Sequence, residues 1–164
     1  MPALGQFLTA MIFKYPEFVQ TYYDSLLQII KHLMTPDIRM EQVSLQIGSA
    51  VFEKIGVPNP GFLKEYMFSI FTSMHFYRNN TKSKIIPLPI IKSIWTFFTN
   101  FMVYNGSQLL VETCNQIQQD IIFMILKSEG DKIKYITAPA RDRKYTIVAF
   151  SKFIREYLTQ FPAE

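Results

Sequence analysis

Residues Pro89–Gly106 read PIIKSIWTFFTNFMVYNG, with Lys92 as the only charge. The stretch approaches the length of a membrane span, but Pro89, Lys92, Asn100, Thr96 and Thr99 interrupt it. On a helical wheel Lys92, Ser93, Thr96, Thr99 and Asn100 gather within an arc of about 120°. Ile90, Ile91, Ile94, Trp95, Phe97, Phe98, Phe101, Met102 and Tyr104 take the rest. A rod that is apolar around two-thirds of its circumference needs helical neighbours on both flanks as well as a partner below. Stacked helical hairpins supply those surroundings; a bilayer would reject the polar strip.

The same pattern recurs along the chain. In 17–33, Glu17, Gln20, Thr21, Asp24, Gln28 and Lys31 share one arc, and Phe18, Val19, Tyr22, Tyr23, Leu26, Leu27, Ile29, Ile30 and Leu33 fill the remainder. In the last helix Arg141, Lys144, Ser151, Lys152 and Arg155 oppose Ile147, Phe150, Phe153, Ile154 and Tyr157. Prolines fall between the periodic blocks or at their first turns, where a missing N–H does least harm. The pattern predicts seven helices, at 3–14, 17–33, 38–55, 60–78, 88–105, 107–128 and 141–160. Asp37 is placed to cap the third, and Asn105-Gly106-Ser107 to stop one helix and open the next. Residues 128–140 form the one long connection expected.

Alternate helices start near 17, 60 and 107, and their partners near 38, 88 and 141. These intervals of about 43 to 53 residues approach the period of HEAT and armadillo units. The expected fold is therefore all-α: a right-handed α-solenoid of HEAT-type hairpins, about 3.5 repeats. It divides into a trailing helix (1–15) and repeats at 16–56, 57–106 and 107–164. The unpaired first helix suggests a piece of a longer solenoid, whose uncovered ends are expected to self-associate.

Composition and motif offer little chemistry. The chain has 164 residues, 49% apolar and 18% charged, with 15 Phe, 9 Tyr and only six Gly. This favours packed helices over a turn-rich β protein. Cys114 is the only cysteine, so neither an internal disulfide nor a cysteine metal site is open to it. No basic, cleavable leader precedes the first helix, which predicts a reducing, intracellular setting. No phosphate loop, paired-histidine motif or nucleophile elbow is present, and no catalytic, cofactor-binding or metal residue is assigned. His32, His75 and Cys114 read as structural; Met40, Met67, Met74, Met102 and Met124 read as core rather than a Met-rich groove. The acids Asp24, Glu41, Glu53 and Glu65 show no basis for pairing. Basic residues concentrate at Lys127, Lys132, Lys134, Arg141, Arg143, Lys144, Lys152 and Arg155, against Glu129, Asp131 and Asp142. They make either a solvated face or a docking ridge for an acidic protein. With the aromatics on the opposite side, no stacking platform for nucleic acid is expected.

The run NGSQLLVETCNQIQQDIIFMILKSEGDKIKYITAPARDRKYTIVAFSKFIRE resembles the carboxy-terminal region of the importin-alpha re-exporters, the cellular apoptosis susceptibility karyopherins. The resemblance rests on Asn105-Gly106, Ile117-Gln118, Ile122 to Leu126, Lys144, and Ile154 to Glu156. MPALGQFLTAM, YYDSLLQIIKHLM and FYRNNTKSKIIPLPIIKSIWTFF are also similar to that family. It implies a longer HEAT superhelix that performs no chemistry. Such exportins bind importin-alpha with GTP-bound Ran in the nucleus and release it in the cytoplasm. In HEAT arrays the second helix of each pair usually lines the concave side. Combined with the wheels, that makes Arg39, Gln42, Gln46, Lys92, Thr96, Thr99, Lys144, Ser151, Lys152 and Arg155 the candidate contacts. The alternative is a HEAT scaffold of an assembly unrelated to transport.

Overall fold

A computed structural model describes residues 2–81, 84–135 and 140–157. Nine α-helices occur among them: α1 Pro2–Lys14, α2 Pro16–Thr21, α3 Tyr23–Leu33, α4 Ile38–Lys54, α5 Pro60–Asn80, α6 Leu88–Asn105, α7 Ser107–Asn115, α8 Ile121–Glu129 and α9 Ala140–Tyr157. A 3₁₀ segment, Gly130–Tyr135, follows α8. No described helix is long and apolar enough to cross a membrane.

The ends are set by local chemistry. Asp37 caps α4, its Oδ1 accepting from the backbone N–H of Arg39 at 2.9 Å and of Met40 at 3.0 Å. Asn59 does the same for α5 through the N–H of Phe62, with Pro60 pre-set in the first turn. Gly106 adopts φ +90°, which a side chain would resist, so α6 stops there and α7 turns away.

Two expected helices are broken. The 17–33 rod divides at Tyr22 (φ −108°, ψ 20°), whose N–H bonds to Val19 O instead of continuing the α ladder. The bend leaves both Val19 and Tyr23 buried. The 107–128 rod stops at Asn115 and restarts after Asp120, which sits in the left-handed region at φ 60°. Asn115 Oδ1 steadies this turn by accepting from Asp120 N–H at 3.0 Å. Seven rods thus become nine helices. The expected connection 128–140 is partly helical, its end at 136–139 lying outside the described residues, as do positions 158–160 of the last rod.

The helices form two layers, as in a helical-repeat solenoid. In one, α1, α4, α6 and α9 lie side by side, with α4 packed on α1 and α6, and α6 on α9. In the other, α5 sits between α3 and α7. Aromatic side chains join them. Tyr66 of α5 meets Phe97 of α6 edge-on with centroids 5.6 Å apart and Phe52 of α4 at 6.3 Å, and within the first layer Phe52 meets Phe101 of α6 at 5.5 Å. Phe52, Tyr66, Trp95, Phe97, Phe98 and Phe101 are all fully buried, so truncating one of these Phe residues to Ala costs about 3–5 kcal/mol. The segment 89–106 is therefore an inner rod of its layer, between α4 and α9.

Candidate protein-interaction surface

Helices α4 and α6 run in parallel register. Near their starts Gln42 Nε2 reaches Pro89 O and Ser93 Oγ, both at 3.5 Å. Near their ends Asn105 Nδ2 donates to Phe52 O at 3.0 Å. Between these ties the polar strips of both rods face a groove of about 600 Å³. Its α4 side carries Gln42, Gln46, Ser49 and Glu53, its α6 side Lys92, Ser93, Thr96 and Asn100, and α1 adds Thr9 and Phe13. Helix α1 approaches closely because Gly5 has no side chain: a Cβ there would stand 3.1 Å from Val43 and 3.4 Å from the Gln46 amide oxygen.

Four of the expected contacts, Gln42, Gln46, Lys92 and Thr96, thus share one depression. Arg39 is exposed on the first turn of α4 and does not line it. Thr99 departs from expectation. It is 1% exposed, on the same flank of α6 as buried Trp95 and Met102, and its hydroxyl donates to Thr96 O at 3.0 Å. It offers nothing to a partner. Lys144, Ser151, Lys152 and Arg155 are exposed on α9, which reaches α6 through Phe150 on Trp95 and Tyr145 on Tyr104.

One lysine of the basic segment is drawn into a buried ion pair. Lys132 and Arg78 both pair with the buried Glu129 carboxylate, Arg78 at 2.7 Å. Burial opposes that carboxylate, but the hydrogen bonds and charges of Lys132 and Arg78 outweigh it and hold its pKa below the ordinary range. Trp95 Nε1 donates to Glu129 O at 3.3 Å, and Arg78 also donates to Ser128 Oγ at 2.7 Å. One acid therefore ties α5, α6 and α8 together. Arg143, Lys144, Lys152 and Arg155 remain on the surface, while the side chain of Arg141 lies outside the described residues.

Apolar side chains expected on the buried side of α9 are partly open: Ile147 is 67% exposed and Ile154 48%. At the other end Phe7, Met11, Tyr22 and Ile29 line an apolar groove of about 280 Å³. Among the described residues these two flanks are left uncovered. The remaining reactive groups are quiet. Cys114 is buried, which pushes its thiol up to about 12. His75 is exposed and bonds only locally, its Nε2 lying 2.7 Å from Asn79 Nδ2. Of the methionines, Met67, Met74 and Met102 are core, but Met124 is 54% exposed.

Sequence reading missed Glu41. It is wholly buried between α4 and α5, accepting from Ser73 Oγ at 2.5 Å, with its Oε2 and the nearby Tyr77 hydroxyl unpartnered. Desolvation raises its pKa to about 7, with Asp37 adding repulsion and the Ser73 and Tyr77 hydroxyls pulling the other way.

The two-layered helical stack thus carries along one layer a groove of mixed polar and apolar lining. The chain matches the family model described as CAS/CSE protein, C-terminus, over residues 1–162. It belongs to the CAS/CSE family. No curated protein and no solved structure matches it. Membership gives the CAS/CSE chain a karyopherin-type nuclear transport role, in a family of receptors rather than enzymes.

Proposed function

We propose that this CAS/CSE chain is a non-catalytic part of an exportin that carries importin-alpha from nucleus to cytoplasm together with GTP-bound Ran. It shuttles between the two compartments and binds through the edge formed by α4, α6 and α9. The observation that carries this reading is the parallel α4/α6 pair, whose polar strips converge on one groove in a chain of that family. The units 16–56, 57–106 and 107–164 act as the HEAT repeats, with 1–15 trailing from a preceding one. The mechanism is conformational: small rotations between repeats add up, and cargo with Ran selects one curvature. The test is a pull-down with the full-length parent protein, importin-alpha and GTP-loaded Ran. A ternary complex that dissolves when GDP replaces GTP is expected; its failure to form removes the assignment.

A further inference from the structure

The α4/α6 groove carries a more specific chemistry than docking in general. Gln42, Gln46, Ser49 and Glu53 follow one another up α4 at steps of three or four residues, and Lys92, Thr96 and Asn100 climb α6 in the same register. A four-residue step on a helix rises about 6 Å. An extended chain presents the same edge every two residues, about 6.6–6.8 Å apart. Amide side chains both donate and accept, so a ladder of them suits a main chain that offers N–H and C=O in turn. Gln46 makes no hydrogen bond among the described residues, and Asn100 Oδ1 and Thr9 Oγ1 are left without partners. Lys92 has no acidic partner among the described residues.

Resting on the partner-facing role proposed above, we infer that this groove binds an extended segment of a partner protein. Its main chain is held by Gln46 and Asn100, with an acidic side chain over Lys92. The strip from Gln42 to Glu53 rises about 16 Å, room for roughly five extended residues. A docked helix could pack on the apolar part of the lining, but its satisfied backbone would leave the Gln46 and Asn100 amides unpaired. A nucleic-acid backbone does not fit either, since it needs several cations where the groove has one.

The test uses two pools of unstructured dodecapeptides, one with Asp or Glu at a central position and the other with Lys or Arg. Binding to the whole chain is read by fluorescence anisotropy. The acidic pool is expected to bind at least about tenfold tighter, and N-methylation at alternate residues of its best member to weaken it about tenfold. Gln46→Leu with Asn100→Leu removes that N-methyl sensitivity, and Lys92→Glu reverses the charge preference. Circular dichroism confirms that the variants fold. Absence of binding, indifference to N-methylation, or equal binding of a stapled helix overturns the inference. Importin-alpha capture by the parent with no peptide bound strikes the groove chemistry alone; peptide binding without capture strikes the export reading alone.

Discussion

Replacing Glu41 with Gln tests the interface between α4 and α5. The carboxyl is fully buried, accepts from Ser73, and faces no cation among the described residues. Its pKa rises from 4.5 to about 7 on folding. Below pH 4.5 the group is protonated in both states and carries no penalty. As pH rises from 4.5 to 7 the unfolded chain releases its proton while the folded protein keeps it, and stability falls. Above 7 the loss is complete, on the order of 3 kcal/mol from the shift itself and roughly 2–3 after water penetration relieves part of it. Gln has the same shape, still accepts from Ser73, and can donate to the Tyr77 hydroxyl. Glu41→Gln is therefore expected to leave stability near wild type at pH 4.5 and to raise it by about 2–3 kcal/mol at pH 8.5, a gain of about 5–10 °C in Tm. Urea and thermal unfolding followed by circular dichroism between pH 4.5 and 9 measure the difference. A gain that is the same at every pH would show that Glu41 does not titrate in this range, and the argument from desolvation would be wrong.

Gly48→Ala places a Cβ 3.0 Å from the hydroxyl of fully buried Tyr66 and disturbs its 3.0 Å bond to Ser44. A net loss of about 1–2 kcal/mol in urea unfolding is expected despite the better helix propensity, and Tyr66→Phe in that background should restore part of it. Reversing Lys144, Lys152 and Arg155 together to Glu should weaken partner binding by a fraction of a kcal/mol to about one per residue and flatten its salt dependence. Calorimetry at low and high salt checks this; unchanged affinity at low salt returns these residues to solvent. The chain alone should self-associate at high concentration through its exposed ends. Phe7→Ser with Ile147→Ser, at side chains 61% and 67% exposed, should return it to a monomer in sedimentation velocity.

The rods bounded by covalent punctuation were the legible ones. Pro87, Pro89 and Gly106 bracket α6, and Asp37 announces α4, because proline geometry, a left-handed glycine and a capping carboxylate act locally. The breaks at Tyr22 and at 116–120 carry no Pro or Gly. Val19 and Tyr23, four residues apart, share a face with or without the first break, so the apolar period runs through it and does not reveal it. The groove was half legible. Gln42, Gln46, Lys92 and Thr96 sit on polar arcs that a wheel displays, whereas Thr9 and Phe13 join them only because α1 lies alongside. Thr99 fell at the edge of its arc, where one more neighbouring helix decides between solvent and core. Glu41 was invisible because a wheel sends every carboxylate outward, and only the facing helix with Ser73 and Tyr77 shows that this one goes in.

The distribution of breaks between the two layers bears on function. Helices α4 and α6 are unbroken rods, tied at both ends of their shared groove by Gln42 and by Asn105. The interruptions at Tyr22 and at 116–120 both fall in the opposite layer. Side chains on a continuous, doubly tied helix keep their spacing, so little ordering entropy is lost when a partner binds. A rod broken at the same level would shift one rung of the amide ladder relative to the next. The Glu129 cluster extends this restraint, since it anchors Trp95 of α6 to α5 and α8 across the layers. The core of the stack thereby anchors the rod that carries the polar strip of α6, while the helix breaks are confined to the layer behind it.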